Sequence, residues 1–318
     1  MYLSTSLSLA SIATSLAAAA TLNVGANQTY QTITAALDAA SSGDQVYVFP
    51  GIYNEKIVIN KTGITLKGSA YPSLDPRDNE AEINFATYAS AVGSNDRSAT
   101  LLVRGDDFSM YNINVTNSAG NVSQAVALSM TGFRGGLYAT ALKGWQDTFY
   151  SHSGSQFLSS SYIEGAVDFI FGIDAQSWYQ GCTLGALKAA GIVTAQGRTA
   201  LNSTGYFVMN QNKIILGEGV AQSVAGTFLL GRPWRDFART VFQNSDLGSI
   251  IAPVGWQAWN DAQDTSAVFY GEYNNTNAND DGSRLDWIKK LDAPIELSTI
   301  LPGYESWVDA AYLGLPAL

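Results

Sequence analysis

Short runs of β-branched and aromatic residues recur along most of the chain, and Gly, Asn, Asp and Ser separate them. Residues of this kind form the turns that connect strands. The runs occupy residues 46–49, 57–59, 64–67, 101–103, 108–115, 125–128, 137–142, 157–158, 162–164, 177–179, 192–195, 207–209 and 227–230. The pattern predicts an all-β protein. Because it contains no literal repeat, it is equally compatible with a parallel β-helix and a β-sandwich.

One amphipathic helix is predicted ahead of all of these runs. Residues 30–40 place apolar side chains at i, i+3, i+4 and i+7, which is one face of a helix. A β-helix exposes the apolar interior of its terminal coil, so a helix that covers it is physically needed. We also predict a surface excursion at residues 71–98, which could border a binding cleft, and a C-terminal helix at residues 304–312.

Polar residues recur at about one coil of a parallel β-helix. Gln124 and Gln146 are 22 residues apart, Asp147 and Asp168 are 21 apart, and each is predicted to lie in a β-prone run instead of a turn. Equivalent positions of successive coils lie roughly 4.8 Å apart, so these side chains would converge on one patch. Arg232 follows Asp168 by 64 residues, close to three coils, and is predicted to reach the same face.

Five short motifs occur in the order seen in pectin methylesterases: Gly51-Ile-Tyr-Asn-Glu55, Gln124-Ala-Val-Ala-Leu128, Gln146-Asp-Thr148, Asp168-Phe-Ile-Phe-Gly172 and Leu230-Gly-Arg-Pro-Trp234. The chain closely resembles this family, and in particular its microbial and fungal members without a pro-region. The resemblance implies an all-β fold, a single-stranded right-handed parallel β-helix, with the predicted helix as its N-terminal cap. It implies removal of methyl esters from homogalacturonan, with no cofactor and no metal. The first motif is interpreted as a turn that closes an early coil.

The chemistry of the five polar residues agrees with ester hydrolysis. Asp168 is the candidate nucleophile, and Arg232 is expected to lower its pKa, orient it and border the substrate. Asp147 is the candidate general acid toward methanol and then the base toward water. Gln124 and Gln146 carry amide donors for an oxyanion. The resemblance assigns the same roles.

Aromatic residues near the motifs are candidate walls of a sugar subsite. Trp234 and Phe171 offer flat apolar faces to galacturonate rings, although the alternation in Asp-Phe-Ile-Phe also allows an inward Phe171. Tyr150, Trp256 and Trp259 are weaker candidates for extending the cleft, because no motif supports them.

Other chemistries are less well supported. His152 is the only histidine, and it is interpreted as a turn residue; no Gly-x-Ser-x-Gly elbow accompanies it. The rival enzyme is a β-helical pectate lyase or polygalacturonase, and a lyase needs a carboxylate cluster for calcium. The only paired acids are Asp106-Asp107 and Asp280-Asp281, which are predicted to lie in loops. A carbohydrate-binding solenoid without activity is the rival outside the enzymes.

Composition narrows the partners and the location. The 318 residues, 46% of them hydrophobic, predict one catalytic domain at 21–318 after an apolar signal peptide at 1–20. The net charge of −10 argues against nucleic acid and anionic membranes, and it favours an uncharged ligand such as methyl-esterified homogalacturonan. We expect a secreted, extracellular monomer. Cys182 cannot form an intramolecular disulfide, and the glycosylation sequons are at Asn27, Asn60, Asn114, Asn121, Asn202 and Asn274.

Overall fold

The chain winds through three parallel sheets, which we name A, B and C. The structure, a computed structural model, describes residues 19–221 and 224–318, so the predicted signal peptide lies almost entirely outside the described residues. From the second strand onward, each coil contributes one strand to sheet A, one to sheet B and one to sheet C, in that order. Seven complete coils stack in this way and form a right-handed parallel β-helix. The predicted fold class is confirmed.

The strands are short and are numbered in chain order. Sheet A contains β1 Thr21–Val24, β2 Gln45–Val48, β5 Thr65–Gly68, β8 Ser109–Tyr111, β11 Gly135–Tyr138, β14 Ser155–Ser159, β17 Gln176–Gln180, β20 Tyr206–Asn210, β23 Arg239–Gln243, β24 Phe269–Tyr273 and β25 Lys289–Lys290. Sheet B contains β3 Gly51–Tyr53, β6 Ala81–Phe85, β9 Ile113–Asn117, β12 Ala141–Lys143, β15 Tyr162–Gly165, β18 Thr183–Ala186 and β21 Lys213–Leu216. Sheet C contains β4 Ile57–Ile59, β7 Leu101–Val103, β10 Leu128–Met130, β13 Phe149–Ser151, β16 Ile170–Gly172, β19 Ile192–Gln196 and β22 Leu229–Gly231.

The core is a set of ladders in which equivalent apolar residues of successive coils touch. In sheet A one such ladder runs through Leu66, Met110, Leu137, Leu158, Tyr179, Met209 and Phe242. All of these side chains are fully buried. Each coil therefore buries apolar surface only against its neighbours, and the stack as a whole holds the coils in register.

The predicted capping helix is present as α1, Ile33–Ala39. Ile33, Ala36 and Leu37 are buried on its inner face. The Glu55 carboxylate accepts hydrogen bonds from the N–H groups of Ile33 at 2.8 Å and Thr34 at 2.9 Å, and so satisfies free donors of the first turn. The motif at 51–55 is therefore strand β3 with a helix-capping glutamate, and its interpretation as a turn was wrong.

Two other local predictions are corrected. The segment at 71–98 is not only a surface excursion, because it contains strand β6 as well as the short helix α2, Ala89–Val92. The predicted C-terminal helix is replaced by the short helix α3, Leu297–Ile300, and two 3₁₀ turns, Tyr304–Ser306 and Ala310–Tyr312. This segment packs on the outer face of sheet A, where contacts to aromatic residues outweigh helix propensity. In the described part of the chain, no helix is long and apolar enough to cross a membrane.

Candidate active site

Asp147 and Asp168 lie in equivalent turns where the chain passes from sheet B to sheet C. Gln146 pairs with Val167 across neighbouring coils, and the Asp147 N–H donates to the Val167 carbonyl oxygen at 3.1 Å. Both aspartates adopt the left-handed conformation, with φ of 62° and 49°, which Asp tolerates better than most residues. The prediction that both aspartates lie in β-prone runs was therefore wrong. The one-coil spacing nevertheless brings the two carboxylates together, because neighbouring coils lie roughly 4.8 Å apart.

Gln124 and Gln146 lie on successive coils, each in the passage from sheet B to sheet C. We call this region, with Gln124, Gln146, Asp147 and Asp168, the corner. The N–H of Ala125 donates to the Gln146 carbonyl oxygen at 3.0 Å, which fixes the two segments in register. The Gln124 Oε1 accepts from the Ser123 Oγ at 2.9 Å, so its amide N–H₂ group is directed away from that contact. Within residues 19–221 and 224–318, neither glutamine amide nitrogen donates to a protein acceptor. Both are thus available to a ligand.

Arg232 follows β22 and donates two parallel hydrogen bonds to the Asp168 carboxylate. Its Nε donates to Oδ1 at 3.1 Å and its Nη2 to Oδ2 at 2.7 Å. The guanidinium lies over the ring of Trp259, with Cζ 4.1 Å from the ring centroid. Strands β16, β19 and β22 pair in succession, so Arg232 is two coils from Asp168 and the predicted three coils were wrong. Long connections around residues 197–205 and 217–227 account for the extra length.

Burial and charge give the two carboxyl groups different protonation. Burial raises the pKa of Asp147 well above its usual range, and the neighbouring Asp168 charge raises it further. Burial also raises the pKa of Asp168, while the hydrogen bonds and charge of Arg232, and the charge of Lys188, oppose that rise. The expectation that Arg232 leaves Asp168 with a lowered pKa is corrected, because burial is the larger effect. Of the two, Asp168 is the carboxyl with an ionic partner, and Asp147 is the candidate proton donor.

Three residues near the site were not found from the sequence. Asn95 Nδ2 donates to the Asp147 Oδ2 at 3.2 Å. Asp96 accepts from the Ser129 Oγ at 2.6 Å and anchors this segment over sheet C. Lys188 supplies positive charge toward Asp168. The polar segment at 71–98, which does border the corner, was the only signal for Asn95 and Asp96, and Lys188 had none.

Aromatic side chains line the outer face of sheet C beside the carboxylates. Phe171 faces outward and stacks on Tyr150 with ring centroids 4.2 Å apart. Trp234, half-buried, meets Phe171 at 6.1 Å between centroids. Trp256 is fully buried in the core and donates from Nε1 to Glu272, so its suggested place in the cleft was wrong. Trp259, by contrast, lies in the same outer cluster as Phe171 and Trp234.

The outer face of sheet C thus forms a floor that leads to Arg232. Its outward residues in strand register are Val58, Leu102, Ser129, Tyr150, Phe171 and Ala195. His152 lies in the turn after β13, as expected, and its ring stacks on Tyr150 at 4.5 Å. Burial lowers the pKa of His152, so it is neutral near pH 7. It makes no contact with the carboxylate pair that would give it a proton-transfer role.

The paired acids considered for calcium serve other contacts. Asp107 forms an ion pair with Arg134. The Asp106 carboxylate accepts from the Phe133 N–H at 2.8 Å, and the Asp280 carboxylate accepts from the Gly282 N–H at 3.0 Å. These contacts hold loops and give no support to a lyase site.

The fold places the chain among the right-handed parallel β-helix proteins. The Pectinesterase family model matches residues 20–293. A protein named probable pectinesterase A from Aspergillus fumigatus is 38% identical over 94% of this chain and 91% of its own length. The pectinesterase of Aspergillus aculeatus is 36% identical, covering 89% of each chain. The chain therefore belongs to the pectinesterase family, and the resemblance in its motifs is confirmed.

Solved structures agree with this assignment. The pectin methylesterase from Aspergillus niger in deglycosylated form matches with a TM-score of 0.85 and 38% identity, covering 92% of this chain and 97% of that chain. The pectin methylesterase from carrot matches with a TM-score of 0.81 and 28% identity, covering 90% of this chain and 94% of that chain. The similarity extends over nearly the whole coil stack.

Proposed function

We propose that this protein removes methyl esters from homogalacturonan, giving pectate and methanol, with Asp168 as the nucleophile. The observation that carries the proposal is the ion pair of Asp168 with Arg232, one coil from Asp147, whose pKa is raised by burial. Membership of the pectinesterase family gives the substrate class. The corner then offers one oriented anion and one proton donor side by side, as ester cleavage needs.

In the first step, an Asp168 oxygen attacks the ester carbonyl carbon and forms a tetrahedral intermediate. Arg232 holds the carboxylate plane through both oxygens and thereby limits its orientations. The carbon–oxygen bond to methanol then breaks, and Asp147 gives its proton to the departing oxygen. The product of this step is an acyl-enzyme, an anhydride between Asp168 and the galacturonate carboxyl.

In the second step, water replaces methanol. Asp147, now ionised, takes a proton from the water as it attacks the galacturonyl carbonyl carbon. Collapse of this intermediate breaks the anhydride, releases the free acid and returns Asp168 as a carboxylate paired with Arg232. Asn95, which donates to the Asp147 Oδ2, keeps that carboxyl oriented in both protonation states. No metal or cofactor takes part in this scheme.

The oxyanion of each tetrahedral intermediate is proposed to bind the amide groups of Gln124 and Gln146. We predict that Gln124→Ala and Gln146→Ala each lower kcat by about 10²- to 10³-fold, because one donor to the developing charge is lost. The measurement is the initial rate of methanol release at saturating pectin. Gln45→Ala, a half-buried glutamine on strand β2 of sheet A, is the control and should keep the parent rate. A change in KM alone would contradict the oxyanion role.

The reaction class is tested by measuring three products together. Highly methylated pectin is incubated with the enzyme at constant pH while acid, methanol and polymer length are recorded. We expect equal amounts of acid and methanol and an unshortened polymer. Shortened polymer without methanol would identify a lyase or polygalacturonase. The absence of any product would favour the alternative of a carbohydrate-binding solenoid without activity.

Activity is predicted to follow a bell-shaped pH profile. As pH falls through the raised pKa of Asp168, the nucleophile gains a proton and the rate drops. As pH rises through the pKa of Asp147, which burial raises well above its usual range, the general acid loses its proton and the rate drops again. The two limbs report apparent values of the coupled pair. A profile that rises steadily with pH would contradict this assignment.

Lys188 provides a test of the acid limb. Its charge opposes the rise in the pKa of Asp168, so Lys188→Met should move the acid limb to higher pH. Lys188→Arg keeps the charge and should restore the parent profile. The measurement is kcat/KM across the acid range, and coincident profiles for all three proteins would exclude the proposed influence of Lys188.

We propose further that the protein is secreted, monomeric and glycosylated, with a signal peptide at 1–20 and one catalytic domain at 21–318. In support, five sequon asparagines are exposed: Asn27, Asn60, Asn121, Asn202 and Asn274. Asn114 differs, because it lies half-buried on interior strand β9 and its Oδ1 accepts from the Asn79 Nδ2 at 3.0 Å. Glycans are therefore proposed at the exposed positions. No nucleic acid or membrane partner is proposed for this acidic chain.

A further inference from the structure

A groove lies on the outer face of sheet B, a different face of the β-helix from the aromatic floor on sheet C. It encloses a volume of about 650 Å³ and runs across strands β12, β15, β18 and β21. Three strand spacings amount to roughly 14 Å. Tyr162 and Glu164 of β15 lie along its floor, and Lys143 of β12 borders them. None of these residues belongs to the proposed catalytic corner.

Small residues open this groove. Ala141 lies beside Tyr162 in strand register, and Gly185 lies beside Glu164. The Tyr162 ring extends over Gly185, since a Cβ atom at that glycine would be 2.3 Å from the phenol oxygen and 2.8 Å from Cζ. Any larger residue at 185 would therefore push the ring out of its place against the sheet.

The ring of Tyr162 is also fixed at its polar end. The phenol oxygen donates to the Glu164 Oε2 at 2.7 Å. Burial and this hydrogen bond both raise the pKa of Tyr162. The phenol therefore keeps its proton, and remains a donor to Glu164, at every pH at which the enzyme would be assayed. The result is a rigid aromatic face in an open groove, with a carboxylate at its edge. Flat aromatic faces with nearby polar groups suit the apolar faces and hydroxyls of sugar rings.

The charges in the groove favour esterified homogalacturonan over homogalacturonan with free carboxyl groups. Asp75 is paired with Arg77 at 2.5 Å, which leaves Glu164 and Glu218 against Lys143. The whole chain carries a net charge of −10. Both the local and the overall charge oppose a polymer of free galacturonate, and neither opposes one whose carboxyl groups are esterified.

We propose that this groove is a second binding site, which holds a methyl-esterified stretch of homogalacturonan with a sugar ring stacked on Tyr162. The stretch is roughly three sugar units long, at about one unit for each strand spacing. The inference rests on the proposed function for its choice of polymer. A long chain that engages both this groove and the sheet C floor gains effective concentration at the catalytic corner, whereas a short oligomer does not.

Binding is tested by calorimetry with a fully methylated hexagalacturonate, in the Asp168→Asn background to prevent turnover. We expect two sites per chain. Adding Tyr162→Ala should weaken one of them by about tenfold, because the stacking surface is lost, and leave the other unchanged. Gly185→Val, which displaces the ring without removing it, should weaken the same site. Tyr47→Ala, a half-buried tyrosine on the outer face of sheet A, is the matched control and should leave both sites intact.

The outcomes separate this inference from the proposed function. Tyr162→Ala in the active enzyme should release methanol from the hexamer at the parent rate, which also shows that the variant is folded. The groove is not a binding site if Tyr162→Ala is active and if adding Tyr162→Ala to the Asp168→Asn protein leaves its binding of methylated hexagalacturonate unchanged. Equal affinity of the groove for unesterified hexagalacturonate would overturn its assignment to esterified polymer. A wild-type enzyme that releases no methanol would reject the proposed function instead.

Discussion

Asp168→Asn is expected to lower kcat for methanol release from pectin by at least about 10⁴-fold, because an amide does not attack the ester carbonyl. Asn has the same shape as Asp and tolerates the left-handed φ of 49° at this position. Its oxygen can still accept a hydrogen bond from Arg232. The fold and the binding of polymer should therefore persist while the chemistry stops. The measurement is methanol release under single-turnover conditions.

A matched control exists at another corner of the β-helix. Asp107 is also left-handed, with φ of 56°, and is also paired with an arginine, Arg134. Asp107→Asn thus makes the same chemical change to the same kind of contact. It should keep the parent rate. Equal losses in the two variants would mean that the ion pair matters for stability and that Asp168 is no nucleophile.

Asp147→Asn is expected to lower kcat on methyl esters by about 10²- to 10⁴-fold, because the departing methanol no longer receives a proton. An Asn side chain can preserve the contact with the Asn95 amide, so the geometry of the turn should change little. The loss depends on the leaving group. Trifluoroethanol leaves with less need of a proton than methanol, so the first turnover of alcohol release from a trifluoroethyl ester of galacturonate should be much less impaired.

The leaving-group comparison separates the two aspartates. Asp168→Asn should be inactive on methyl and trifluoroethyl esters alike, because both require the nucleophile. If the first-turnover rate of alcohol release in Asp147→Asn falls by the same factor on both esters, general acid catalysis by Asp147 is excluded. Asp107→Asn again serves as the control for each substrate.

The sequence predicted the parts of the site that depend on regular coils. Asp147 and Asp168 are 21 residues apart with no insertion between them, so the strand spacing alone brings them together. Arg232 reached the predicted partner, but over two coils instead of three, because long connections cannot be counted in coil units. The left-handed turns at the aspartates were missed, since residues that favour strands flank both of them.

Contacts that depend on the path of a loop could not be predicted. Asn95 approaches Asp147 from a segment with no periodicity, and its spacing to Asp147 carries no information. Trp256 and Trp259 have similar sequence surroundings, yet the first is buried in the core and the second covers Arg232. Inward and outward positions of an irregular segment are set by packing, which has no sequence period.

The covalent intermediate on Asp168 is the central claim, and mass spectrometry of Asp147→Asn tests it most directly. With a trifluoroethyl ester of trigalacturonate, the first step should proceed without the general acid, while hydrolysis of the acyl-enzyme lacks its base and is slow. The account predicts a protein whose mass has increased by that of the substrate less trifluoroethanol, with the added group on the peptide that contains Asp168. Release of trifluoroethanol in a burst without any adduct, or with an adduct on another residue, would contradict it.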